Sequence, residues 1–198
     1  MKSHNETTCT AFEGAAMIAT GPLPHVAKQV KQVLDRGERA PVLIFDDETS
    51  EPVEIDFRGT WEEVAARLPG GKQPPRGPGR PRLGVLAREV TLLPRHWEWL
   101  SGQPGGASVA LRKLVEEARR ANAGKDQLRL AQEAAYRFLS AIAGNLPGFE
   151  EACRALFAGD AQRFDALVEP WPDGLRTHAR RLAARAFPNQ HEGAPHGS

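Results

Sequence analysis

The run Arg76-Gly77-Pro78-Gly79-Arg80-Pro81-Arg82 puts three guanidinium groups on a backbone that carries almost no other side chain. Proline holds such a chain extended and glycine keeps it thin. An extended arginine of this kind fits the minor groove of A·T-rich DNA, which is narrow and strongly negative. Two further sets lie downstream. Arg88 and Thr91 fall on or beside the β-prone run Arg88-Glu89-Val90-Thr91-Leu92-Leu93. Gly106, Ser108 and Arg112 open a helix after a glycine turn, where free backbone N–H groups hold phosphate. The DNA-binding candidates are therefore Arg76, Arg80, Arg82, Arg88, Thr91, Gly106, Ser108 and Arg112.

Other reactive side chains form no comparable set. Asp46, Asp47, Glu48, Glu51, Glu54 and Asp56 offer hard oxygen donors of the sort that bind Mg²⁺. Acidic hairpin tips are ordinarily solvated, however, and no phosphate-cradling glycine loop accompanies them, so no metal or cofactor is expected. The histidines (His4, His25, His96, His178, His191 and His196) form no HExxH or CxxH pattern. Ser101 and Ser108 lack a nucleophile-elbow context. Cys9 and Cys153 read as small buried apolar residues. The chain is expected not to be an enzyme. Trp97 and Trp99, two apart on a helix, point to different sides, one to a core and one to an interface. Arg176, Arg180, Arg181 and Arg185 fall at i, i+4, i+5 and i+9 and read as a solvated helix face.

The chain that must position these groups has 198 residues, 40% hydrophobic and 26% charged, with a net charge of +1. That is a globular balance of one domain or two small ones. No stretch approaches the ~18–20 apolar residues of a membrane span. Met1-Lys2-Ser3-His4-Asn5-Glu6 is followed by no apolar segment of a secretory signal. With two distant cysteines, the expected compartment is a reduced cytoplasm. Charge is uneven: residues 1–70 hold 7 basic and 12 acidic side chains, residues 71–120 hold 10 and 4, and residues 121–198 hold 9 of each. A basic binding segment between two carriers, or halves that neutralise each other, both fit this pattern.

An α+β fold is expected. Short strands at 9–13 and 16–19 flank Gly14, and Val26, Val30, Val33 and Leu34 mark a helix over about 25–34. Pro41-Val42-Leu43-Ile44-Phe45 and the alternating Val53, Ile55 and Phe57 form an antiparallel hairpin around the turn at 46–52. Thr60 caps a helix to Leu68, with Glu62 and Glu63 in its first turn. Residues 69–81 are nine-thirteenths Pro and Gly and read as a linker. Beyond it come a strand at 88–93, a helix at 94–101 started by Pro94, and helices at about 107–122, 126–143, 147–158, 160–168 and 172–186. The domains expected are an acidic α/β block at 7–68, a linker at 69–82, a binding segment at 83–122, a helical domain at 126–187 and a disordered tail at 188–198.

Two motif resemblances sharpen the binding segment. Gly79-Arg80-Pro81-Arg82 resembles an AT-hook, whose core is Gly-Arg-Pro flanked by basic residues. Residues 83–121 resemble the ribbon-helix-helix repressors of bacteria. That resemblance implies a homodimer in which strands from two protomers pair and enter the major groove. It places Val90 and Leu92 toward the core, Glu89 and Thr91 toward the groove, Leu111, Leu114 and Val115 in the dimer core, and phosphate at Gly106–Ser108. Glu89 is acidic where such ribbons are polar or basic, and Trp97 and Trp99 are bulkier than the pattern carries. The other assignment is that the strand extends the N-terminal sheet and the helices pack as core.

Over most of residues 8–187 the chain resembles a bacterial family defined as a domain of unknown function. The resemblance rests on Gly79-Arg80-Pro81-Arg82-Leu83-Gly84-Val85, Arg88 through Leu100, Gln103 through Ser108, Ala11-Phe12-Glu13-Gly14 and Leu43-Ile44-Phe45-Asp46-Asp47. It implies kinship and no activity. From the residues, the expectation is a homodimeric regulator that binds double-stranded, A·T-rich DNA in the cytoplasm, associated with the nucleoid, its C-terminal helices open to a protein partner. The alternative is a protein-interaction or antitoxin-like adaptor with no direct DNA role.

Overall fold

The computed structural model describes residues 8–69 and 88–187. The chain divides into two compact units: residues 1–73 with 127–198, and residues 74–126.

In the first unit, Thr8–Glu13 (β1) and Ala16–Pro22 (β2) form a hairpin, and Val42–Asp46 (β3) pairs on the other side of β1. The sheet is antiparallel with order β2-β1-β3. Gly14 turns the hairpin at φ +55°, and a Cβ there would stand 3.0 Å from that of Ala40. Because successive side chains point to opposite faces, central β1 feeds two cores. Cys9 and Ala11 join Ile44 and pack on Leu23, Val26 and Val30 of the helix Leu23–Asp35 (α1). Phe12 joins Phe45 on the other face. The sheet is thus the middle layer of this unit.

The C-terminal helices cover that second face. They are the last part of Gly106–Ile142 (α4), Phe149–Ala158 (α5), Ala161–Val168 (α6) and Asp173–Ala183 (α7), closed by a 3-10 turn at Ala184–Ala186; Trp61–Arg67 (α2) and Pro94–Ser101 (α3) precede them in the chain. Phe138, Leu139, Leu156, Phe164, Leu175 and Leu182 are buried in one cluster with Phe12 and Phe45. The acidic block and the helices after residue 126, which the sequence divides into two domains, therefore share a core. Neither could cover its own aromatic face alone.

Several expected elements take a different form. The expected partner strand at 53–57 is absent. Phe45 and Pro52 make an isolated bridge, and the Val53 N–H donates to the Ile44 carbonyl at 2.8 Å, but the ladder goes no further. On the other side of the bridge the Asp46 N–H donates to the Glu51 carbonyl at 3.0 Å. Val53, Ile55 and Phe57 keep their alternation and lie half-buried against the α1-side core. The helices expected at 107–122 and 126–143 are one, α4, of 37 residues. Asn122 donates to the Ala118 carbonyl instead of ending the helix, and Gly124 weakens a helix by about 1 kcal/mol without stopping it. Thr60 caps α2 as its sequence indicates, through a capping box with Glu63.

In the second unit α3 starts at Pro94 as expected, and residues 88–93 carry no strand. A strand needs a neighbour to receive its ladder, and these residues find none among the described residues. Val90 is exposed, so it faces no core here, while Leu92 is half-buried. Of the described residues 88–126, only Leu100 and Ala110 are buried apolar side chains.

Candidate functional site

Five of the eight candidate residues are described, all in the second unit. Arg76, Arg80 and Arg82 lie outside the described residues. Arg88 and Thr91 are exposed just ahead of α3. α4 begins at Gly106 after two glycines of positive φ, +85° at Gly105 and +75° at Gly106, a backbone that a β-carbon would strain. A Cβ on Gly105 would also press on Val109 at 3.1 Å. One turn later the Arg112 Nε donates to the Ser108 carbonyl at 3.0 Å, which folds that arginine along the helix. At 100° per residue Arg112, Lys113, Arg119 and Arg120 fall within an arc of about 120°. Glu116 lies inside that arc and takes Arg119 at 2.8 Å and Arg120 at 3.6 Å.

The neighbouring face of this unit is apolar and open. Trp97 is 40% exposed and Trp99 54%, so neither fills a core, contrary to the expectation that one would. With only Leu100 to anchor it, α3 has no interior to offer an indole. Leu92, His96, Trp99, Leu100, Leu111 and Leu114 line an apolar groove of about 280 Å³.

The first unit uses its charges on itself. The arginines of the last helix, expected to be solvated, are engaged. Arg181 donates from Nη2 to Asp47 Oδ1 at 2.7 Å and to Thr10 Oγ1 at 2.8 Å. Thr10 donates to the same Asp47 oxygen at 2.7 Å and contacts Thr20 at 2.9 Å. Arg185 holds the Asp47 and Glu48 carbonyls, Arg176 holds Asp173 and the Glu169 carbonyl, and Arg180 holds Glu169 and Asp165. The acidic loop and α7 are thus clamped together. The sequence shows both partners but not their meeting.

His178 lies inside this clamp. Its Nδ1 accepts from Arg181 at 2.9 Å, which puts its proton on Nε2, a buried atom with no hydrogen-bond partner. Burial, and then Arg181, push its pKa down to about 3. Burial likewise pushes the Cys9 thiol up to about 12, with help from Asp46 and Asp47, and the Cys153 thiol up to about 11. Both cysteines are buried. Asp46 folds back on the Glu48 and Thr49 amides of its own turn, and Asp56 is held well below the usual carboxylate range by Arg58. Among the described residues no three His, Cys, Asp or Glu side chains are grouped to hold a metal. A cleft of about 640 Å³ opens between Glu48, Thr49, Glu133 and Arg185. Thr49, which lines it, donates its hydroxyl to Asp46 at 3.1 Å. Among the described residues, no helix is long and apolar enough to cross a membrane.

Comparison with known proteins places the chain in a family. The model of a family described as "Uncharacterized protein conserved in bacteria (DUF2239)" matches residues 8–183. No curated protein and no solved structure matches the chain.

Proposed function

This chain belongs to the DUF2239 family of bacterial proteins, and we propose that it is a homodimeric DNA-binding protein, regulatory rather than catalytic, whose binding module is the unit of residues 74–126. The observation that carries this reading is where the positive charge is concentrated. That unit holds ten basic and five acidic side chains, whereas the rest of the chain holds sixteen and twenty. In the rest, the arginines of α7 and of the 3-10 turn after it are engaged by its own acids and carbonyls. A net +5 on 53 residues is an electrostatic footprint for a polyanion.

Within this module Arg80, with Arg76 and Arg82, reads an A·T-rich minor groove, following the AT-hook likeness. Arg88 and Thr91 continue the contact, and Gly106 and Ser108 present the start of α4 to a phosphate. Arg119 and Arg120 extend the cationic face along α4. A ribbon over residues 88–93 takes its second strand from another protomer, so it belongs to the dimer and not to the single chain. Arg112, folded onto Ser108, lies outside the groove-reading set.

Fluorescence anisotropy with A·T-rich and G·C-rich duplexes over a salt series tests the reading. Wild type is expected to favour A·T and to weaken steeply with salt. Arg80→Ala/Arg82→Ala removes the preference, and Arg119→Ala/Arg120→Ala weakens both duplexes alike with a shallower salt slope. Equal binding to both duplexes, or none at low salt, sinks the reading and leaves the adaptor alternative in front.

A further inference from the structure

Nine large apolar side chains stand exposed among the described residues, and six of them, Val90, Leu93, Trp97, Trp99, Leu114 and Val115, lie between residues 90 and 115. The same stretch buries only Leu100 and Ala110. Two helices that enclose so little cannot be held by their own interior. Exposed apolar surface this concentrated marks an interaction face.

The charges around that face say what covers it. Around Leu114 and Val115 the sequence reads Arg112-Lys113-Leu114-Val115-Glu116-Glu117, two cations before the apolar pair and two anions after it. At 100° per residue Arg112 and Glu116 lie on one flank of the stripe made by Leu111, Leu114, Val115 and Ala118, and Lys113 and Glu117 lie on the other. A two-fold axis perpendicular to a pair of antiparallel helices keeps each flank facing its own copy. It therefore sets Arg112 across from the partner's Glu116, a carboxylate that also holds Arg119 of its own helix, and Lys113 across from the partner's Glu117, each pair twice. A parallel pair would set like charges level with each other.

We infer that the occupant of this face is a second copy of the chain, docked through α3 and the first half of α4 with the two α4 helices antiparallel and crossing at Leu114–Val115. Such an interface is isologous and closes on itself, so it stops at a dimer. The partner's Val115 seats against the groove of Trp99, Leu100 and Leu111. The inference rests on the homodimer in the reading above and adds the part of α3 and the antiparallel polarity of the two α4 helices.

Sedimentation equilibrium of the full chain, without DNA, tests it. Wild type is expected to be dimeric. Glu116→Arg/Glu117→Arg turns four attractions into four repulsions and is expected to raise the dimer Kd about a hundredfold. Arg112→Glu/Lys113→Glu does the same. Equimolar mixing of these two variants restores a dimer, which also shows that each is folded, and combining all four changes in one chain restores self-association. A monomeric wild type overturns the inference, as does a dimer untouched by either reversal. A monomeric variant that still prefers A·T duplexes overturns the dimer requirement alone. An intact dimer that ignores DNA overturns the binding function alone.

Discussion

His178 should make the stability of the protein depend on pH above the range where carboxylates titrate. Its ring is 1% exposed and lies 5.4 Å from the ring of Phe12 and 4.5 Å from that of Phe138. The charged groups facing it are Arg181, from its own helix, and through Arg181 the Asp47 carboxylate from the loop after β3. Folding lowers its pKa from 6.5 to about 3. Between those values the unfolded chain binds a proton that the folded chain refuses, so stability is full above pH 6.5 and is lost as pH falls toward 3. At 1.36 kcal/mol per pKa unit, moving from pH 7.5 to pH 5 removes about 2 kcal/mol. Urea unfolding at pH 7.5, 6.5 and 5 would measure it against His178→Asn, whose side-chain oxygen takes the place of Nδ1 as Arg181's acceptor. The variant starts less stable, because the smaller side chain leaves space between the rings. Its decline between pH 7.5 and pH 5 should be shallower than that of wild type by about 2 kcal/mol. Parallel declines would show that the imidazole titrates freely and would refute the reasoning.

Gly124→Ala should stabilise the protein by about 0.5–1 kcal/mol, because Gly124 is inside a helix and a Cβ there meets nothing within 4 Å. Thermal unfolding measures it, and a destabilisation would mean that α4 breaks at this point. Phe138→Ala should cost about 3–5 kcal/mol, since Phe138 is fully buried against Phe12, Phe45 and His178. Chemical denaturation reads the loss; a change under 1 kcal/mol would mean that the two sides of this core are not packed as described.

The sequence makes visible whatever is decided locally. Gly14 between two apolar runs, Thr60 three residues before Glu63, and Pro94 ahead of a helical stretch each act within a turn, and β1–β2, α2 and α3 follow. The continuity of α4 was hidden because Ala121-Asn122-Ala123-Gly124 lowers helix propensity without carrying a stop, and packing of residues 128–142 settles the matter. The shared core was hidden for a different reason. Phe12 and Phe138 are each half of a contact, and nothing in either neighbourhood names the other. The arginines of α7 have the same spacing whether they meet water or Asp47. Of the binding candidates, Arg88, Thr91, Gly106, Ser108 and Arg112 are on the surface of the second unit, with Arg112 turned onto Ser108. The sequence assigns one tryptophan to an interface and Val115 to a dimer core; that Trp97 and Trp99 are both exposed was not legible, because their apolar spacing is also that of a core.

The contact from Arg181 to Thr10 spans 171 positions of chain, and this sets an order of events during synthesis. The three strands leave the ribosome first, with Phe12 and Phe45 on a face that residues from 128 onward cover. At roughly 5–20 residues per second, that face waits on the order of ten to thirty seconds for α7. Throughout the wait it is an uncovered aromatic surface at the edge of a nascent chain. Slower translation anywhere between residues 46 and 182 lengthens the exposure, so the yield of folded protein depends on elongation speed and on whatever shields that sheet until the last helix arrives.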